Sequence, residues 1–206
     1  SLGELPAGTN FIKIEFDWSQ PVAAQLAGIL IGHDAPMSVL DAPGLGRYYQ
    51  KTAEQLDSLL MLCQEKKVYM MLTLDYHGVF KPTLDGWGSN DNWRRNPYNI
   101  ANGGPCNTPQ EFFTNADARR MYKNRLRYMV ARWGYSANLA VWEFWNEIDN
   151  VMAGQGIPAQ DIVNWHQEMA DYLKQIDPYK HLVSTSVVWQ EMPGLWEIKN
   201  LDITQH

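Results

Sequence analysis

Short apolar runs recur along this chain at intervals too long for hairpins, and that spacing limits the fold more than any other feature. "FIKIEF" (11–16), "VYMMLTL" (68–74), "LAVWEFWN" (139–146) and "HLVSTSVVW" (181–189) have strand length and are rich in β-branched, aromatic or other apolar residues. "LDITQH" (201–206) opens the same way. Between them lie segments of helical period. "RYYQKTAEQLDSLLMLCQEKK" (47–67) places Leu56, Leu59, Leu60 and Cys63 on a stripe. "NADARRMYKNRLRYMVARWG" (115–134) is a second helix, and "IPAQDIVNWHQEMADYLKQI" (157–176) repeats Ile162, His166, Met169, Leu173 and Ile176 before Pro178 ends it. Five apolar strands joined by connections of crossover length call for parallel βα units in an α/β fold, either doubly wound or closed as a barrel.

The strand ends choose between these. A Gly-rich phosphate turn follows none of them, which argues against a nucleotide- or phosphate-using α/β enzyme. Each run instead finishes on polar or aromatic groups: Asp17 and Trp18, Asp75 and His77, Asn146 and Glu147, Trp189 and Gln190, and His206. A site assembled from the C-terminal ends of several strands is the (β/α)8 TIM-barrel arrangement. With 206 residues, 45% hydrophobic and 19% charged, the chain has enough core for one domain over 1–206. A long aperiodic insertion from Gly78 to Thr114 follows His77, and its position predicts one wall of a cleft. Trp87 and Trp93 in it are either sugar platforms or structural staples.

The same composition narrows the partners. A net charge of -6 argues against nucleic acid, whose binding is built from neutralised phosphates. The basic cluster Arg119, Arg120, Lys123, Arg125, Arg127 and Arg132 reads mostly as the solvated side of a helix. No apolar run reaches the ~18 residues of a membrane span, and a secreted precursor would have lost its leader before this numbering begins. Cys63 and Cys106 read as plain thiols, with no histidine at ligand spacing and no metal or other cofactor implied.

The stretch "FFTNADARRMYKNRLRYMVARWGYSANLAVWEFWNEID" (112–149) resembles clan A of the retaining glycoside hydrolases, especially cellulase- and mannanase-like members of glycoside hydrolase family 5. By that resemblance Asn146-Glu147 ends barrel strand four. Glu147 is then the catalytic general acid/base, and Asn146 the donor to the sugar 2-hydroxyl. "TLDYHG" is similar to the end of strand three, where His77 would line the cleft, "GTNFIKIEF" to strand two and "LDITQH" to strand six. The chain would represent roughly strands two to six, incomplete at both ends, with the nucleophile on strand seven beyond residue 206. Where strand two of family 5 carries an arginine beside the nucleophile, this chain has Lys13, a point charge rather than a planar fork. The resemblance further implies a carbohydrate (β-glycan) substrate and a secreted or periplasmic location.

Glycoside hydrolysis needs two carboxyl groups, a proton donor and either a nucleophile roughly 5 to 5.5 Å away or a more distant base. Glu147 supplies one. Trp18, Trp189 and His206, as strand-end residues, are expected to bind substrate along with Asn146, His77, Trp87 and Trp93. The rival for Glu147 is a buried acid paired with a cation such as Lys13. Glu143, Asp75 and Glu15 read as structural carboxylates deeper in the barrel, His166 as a core or boundary residue, and Glu191 as the other acid near the rim. A noncatalytic carbohydrate-binding barrel is the alternative function.

Overall fold

The computed structural model describes residues 45–82, 92–152 and 155–206. The strand expected over 11–16, with Lys13 and Trp18 at its end, and Trp87 in the insertion lie outside the described residues.

Helix α1 (Gln50–Lys66) leads to strand β1 (Met70–Tyr76), and a 3-10 turn follows at His77–Phe80. After short helix α2 (Glu111–Thr114) come α3 (Ala116–Trp133), β2 (Leu139–Asn146), short α4 (Asp149–Met152), α5 (Ala159–Ile176), β3 (Leu182–Ser186) and β4 (Ile203–Gln205). The strands form one sheet in the order β1-β2-β3-β4, every neighbouring pair parallel. Parallel neighbours in chain order, with α3 between the first two strands and α5 between the next two, make an arc of (β/α)8 type.

Local chemistry sets the boundaries. The Asn115 side chain accepts the N–H groups of Asp117 and Ala118 and so starts α3. Lys67, with φ 56°, closes α1, and Val68 still gives its N–H to the Cys63 carbonyl, so β1 begins two residues later than its apolar run. Asp177 ends α5 and is fully buried. It accepts the Tyr179 and His181 N–H groups, the Trp142 indole at 3.2 Å and the His181 ring at 2.7 Å. Burial pushes its pKa up, but the His181 hydrogen bond and the other donors outweigh that and hold the carboxyl below the usual carboxylate range.

The core lies between the sheet and the pair α3 and α5. Phe80, Phe112, Phe113, Tyr122, Trp145 and Trp165 are each at most 2% exposed and meet edge to face or tilted, as with Tyr122 and Trp165 at 4.8 Å. Of the basic cluster, Arg120 and Arg127 are exposed and Arg119, Lys123 and Arg132 half-buried, while Arg125 corrects the solvated-face expectation: it is 5% exposed and faces inward. Arg119 and Lys123 pair with Glu168 of α5, Arg120 with Asp117, and Arg132 with Asp57. Cys63 and Cys106 are free buried thiols, and burial raises Cys106 to about 12.

The described part of the insertion is packed tightly, and its asparagines explain how an aperiodic segment can be. Asn92, Asn96, Asn99 and Asn102 donate through their side-chain amides to the main-chain carbonyls of Gly78, Val79, Trp93 and Asn96, at 2.9 to 3.0 Å. These bonds stand in for a missing backbone ladder. Trp93 is accordingly a staple: it is 6% exposed, lies against Phe80 at 5.7 Å and donates its indole N–H to the Asn107 carbonyl. Its ring offers no face to a sugar, which corrects the platform expectation.

Candidate active site

Strand β2 ends in a turn that its neighbour holds in place. Glu147 has φ 57°, a left-handed backbone that a glutamate adopts only when its surroundings require it. Ser186, the last residue of β3, supplies the requirement. Its hydroxyl accepts the Glu147 N–H at 2.9 Å and donates to the Trp145 carbonyl at 3.3 Å, while its own carbonyl accepts the Ile148 N–H at 2.9 Å. Behind it, His166 of α5 donates from Nδ1 to the Ile162 carbonyl, and its Nε2 faces the Thr185 hydroxyl at 3.2 Å. His166 is fully buried, and burial pulls its pKa down to about 4, so the imidazole is neutral near pH 7. It belongs to the core, as its place on the α5 stripe implies.

The Glu147 side chain is 37% exposed. Its Oε2 accepts from the Asn150 amide at 3.1 Å, and His77 Nδ1 lies 3.3 Å from the same oxygen without hydrogen-bond alignment. His77 begins the turn after β1, and the adjacent ends of β1 and β2 bring it beside Glu147. Asn146, beside Glu147, is exposed at the strand end. Among the described residues no lysine or arginine forms an ion pair with Glu147.

The other acids divide cleanly. Asp75 accepts Arg125 Nη1 at 2.9 Å on both oxygens and the Tyr122 hydroxyl at 2.9 Å. Glu143, 3% exposed, accepts the Thr73 hydroxyl and, at 3.4 Å, the Gln205 amide. Glu143 is buried and Asp75 half-buried, and both are tied to neighbouring elements of the fold. Glu191 receives His206 Nδ1 at 2.8 Å and the Trp196 indole N–H at 2.8 Å, with the Trp196 and His206 rings 5.2 Å apart. Trp189 is 82% exposed on the segment that follows β3. Among the described residues no three His, Cys, Asp or Glu side chains gather in a metal-binding group. No described helix is long and apolar enough to cross a membrane.

Sequence reasoning missed Ser186, Asn150 and Asp149. The hydroxyl-rich "STS" at the end of β3 and the acid two residues after Glu147 were the available signals.

No protein-family model matches the chain. Individual proteins do. Over 119 residues it is 29% identical to a probable mannan endo-1,4-beta-mannosidase F of Neosartorya fischeri, an alignment that covers 57% of this chain and 24% of that protein. It is 34% identical over 74 residues to mannan endo-1,4-beta-mannosidase A of Aspergillus aculeatus, covering 36% of this chain and 18% of the relative. The chain is similar to fungal mannanases. That agrees with the mannanase-like resemblance of its sequence. Mannan endo-1,4-beta-mannosidase F of Aspergillus fumigatus matches at 25% identity over 132 residues, 64% of this chain and 26% of the relative, so the chain spans about a quarter or less of the length of these mannanases. A structure of endo-glycoceramidase II from Rhodococcus sp. with a cellobiose-like imidazole overlays with a TM-score of 0.49 at 15% identity, over 74% of this chain and 39% of that one.

Proposed function

We propose that residues 1–206 are the central part of a single (β/α)8 glycoside hydrolase domain, roughly strands two to six, that cleaves β-linked polysaccharide with retention of configuration. The mannanase relatives favour a β-1,4-mannan as the substrate, and the family resemblance favours a secreted or periplasmic enzyme. One observation carries the reading: the Glu147 carboxyl stands partly exposed at the C-terminal end of β2, beside Asn146 and His77 and clear of any described lysine or arginine. A cation there would favour the ionised form, whereas a proton donor must reach the substrate protonated.

In the first step Glu147 gives its proton to the glycosidic oxygen as the bond to the anomeric carbon breaks. A second carboxylate, from a later strand of the barrel, attacks that carbon and forms a covalent glycosyl-enzyme. In the second step ionised Glu147 takes a proton from water, whose oxygen displaces the enzyme carboxylate. Asn146 holds the sugar 2-hydroxyl. Asn150, donating to Oε2, keeps the Glu147 carboxyl oriented, His77 lines the cleft with Nδ1 3.3 Å from the same oxygen, and Trp189 offers a flat apolar face to a pyranose ring.

The test is Glu147→Gln in the full-length protein. Turnover of β-mannan is expected to fall by about 10²- to 10⁴-fold. Aryl glycosides with good leaving groups should lose less in the first step, and azide should restore their turnover, because they need little protonation. Equal losses on every substrate without azide rescue would remove Glu147 from the role. Glycan binding by the wild type without any hydrolysis would instead leave the noncatalytic binding barrel.

A further inference from the structure

The turn that carries Glu147 is tied to the segment after β3 in both directions. Ser186 reaches from that side to the Glu147 N–H. Asp149 reaches back. Its carboxylate is 3% exposed and accepts three consecutive main-chain N–H groups: Val188 on Oδ1 at 3.0 Å, and Trp189 and Gln190 on Oδ2 at 2.7 and 3.0 Å. This explains why β3 stops at Ser186 although its apolar run continues to Trp189. Val187 still bonds the Gln205 carbonyl, but the next three N–H groups leave the sheet for the carboxylate. The chain is pulled out of the strand, and Trp189 is presented at 82% exposure.

An exposed tryptophan on an irregular segment would ordinarily be mobile, and ordering it on a sugar would cost binding energy. Three charge-assisted bonds to one buried carboxylate remove that freedom in advance. We propose that Asp149 is a positioning residue that fixes Trp189 relative to Glu147 as a platform for a pyranose unit, so that the acid and the platform are registered through a single turn. This rests on the glycosidase reading above. Asp149 itself is turned away from solvent, toward the three amides, and does not touch substrate.

Asparagine in its place keeps the shape but puts an NH2 group against at least one N–H donor. In the wild type, the N–H groups of residues 188–190 should exchange slowly with solvent although those side chains are exposed. In Asp149→Asn they should exchange at least about tenfold faster, since one lost bond of this kind is worth about a factor of ten. The Ile148 N–H, held by Ser186, should be unaffected. In the full-length enzyme Asp149→Asn should raise KM about tenfold for β-1,4-mannan and less for a short aryl β-mannoside. Adding Trp189→Ala should bring no further rise, because both changes remove the same contact.

Fast exchange at 188–190 in the wild type, unchanged exchange in the variant, equal KM effects on polymer and aryl glycoside, or additive effects with Trp189→Ala would each overturn the proposal. Should the wild type hydrolyse neither substrate, the glycosidase reading fails separately. The exchange rates, with quenching of tryptophan fluorescence by mannohexaose in both variants, then decide the positioning role: quenching that Asp149→Asn leaves undiminished counts against it.

Discussion

Strands β1 and β2 lie side by side in parallel register, Asp75 opposite Trp145 and Tyr76 opposite Asn146, and each ends near a carboxylate. The two carboxylates are treated in opposite ways. Asp75 is 11% exposed and closed off by Arg125 and Tyr122, both from α3. Glu147, just past the end of β2, is 37% exposed and receives a neutral amide from Asn150. An acid that joins helix to sheet is neutralised by a cation, because an unpaired buried charge is expensive. Glu147, the acid that carries the proton in the proposed mechanism, is braced through its backbone instead, and no described lysine or arginine forms an ion pair with its carboxyl.

The largest effect expected from breaking this contrast is on the β1 side. Arg125→Met leaves Asp75 buried without its cation and should lower unfolding free energy by about 3–5 kcal/mol in urea titrations, with part recovered on adding Asp75→Asn. A loss below about 1 kcal/mol would mean that Asp75 is no more committed to structure than Glu147. Next comes the neutral support behind β2. Unfolded histidine takes up a proton near pH 6.5, whereas folded His166 resists until about pH 4. Its contribution is therefore complete above pH 6.5, falls as pH drops through that window, and is lost below pH 4, about 3 kcal/mol in all. His166→Gln should flatten stability measured between pH 7 and pH 4, and an unchanged slope would exclude it as the source.

A third variant makes Glu147 resemble Asp75. His77→Lys places a fixed charge beside Oε2, which should lower turnover of β-mannan about tenfold at neutral pH and move the alkaline limb of the pH–rate profile to lower pH. A profile that stays in place would show that the absence of a cation there is incidental. The smallest effect belongs to Ser186→Ala, expected to cost about 1 kcal/mol of stability for the lost hydroxyl bonds and to slow mannan turnover more than mannan binding. Stability loss with unchanged turnover would mean that the Glu147 backbone needs no such hold.

The sequence made the strands legible because they follow from local pattern. Apolar runs located all four described strands, and the Trp-Asn-Glu ending singled out Glu147 by resemblance. Trp93 was ambiguous for a physical reason: its burial depends on asparagine side chains reaching carbonyls elsewhere in the insertion and in the turn after β1, which no periodicity encodes. Asp149 and Ser186 were invisible for a related one, since their bonds cross between β2 and β3 and exist only once the register is known. Arg125 was a different failure. It sits on the same helix face as Tyr122, Leu126 and Met129, all buried, and the run of basic residues around it drew attention away from that stripe.

The left-handed backbone at Glu147 sets evolution and engineering at odds in this molecule. Glycine adopts that conformation without the steric penalty a glutamate bears, a difference of about 1 kcal/mol. A library sorted only for heat resistance would therefore tend to enrich Glu147→Gly, keeping the fold while discarding the acid. If Glu147 is the acid of the proposed mechanism, any campaign to harden this protein has to select for turnover at the same time.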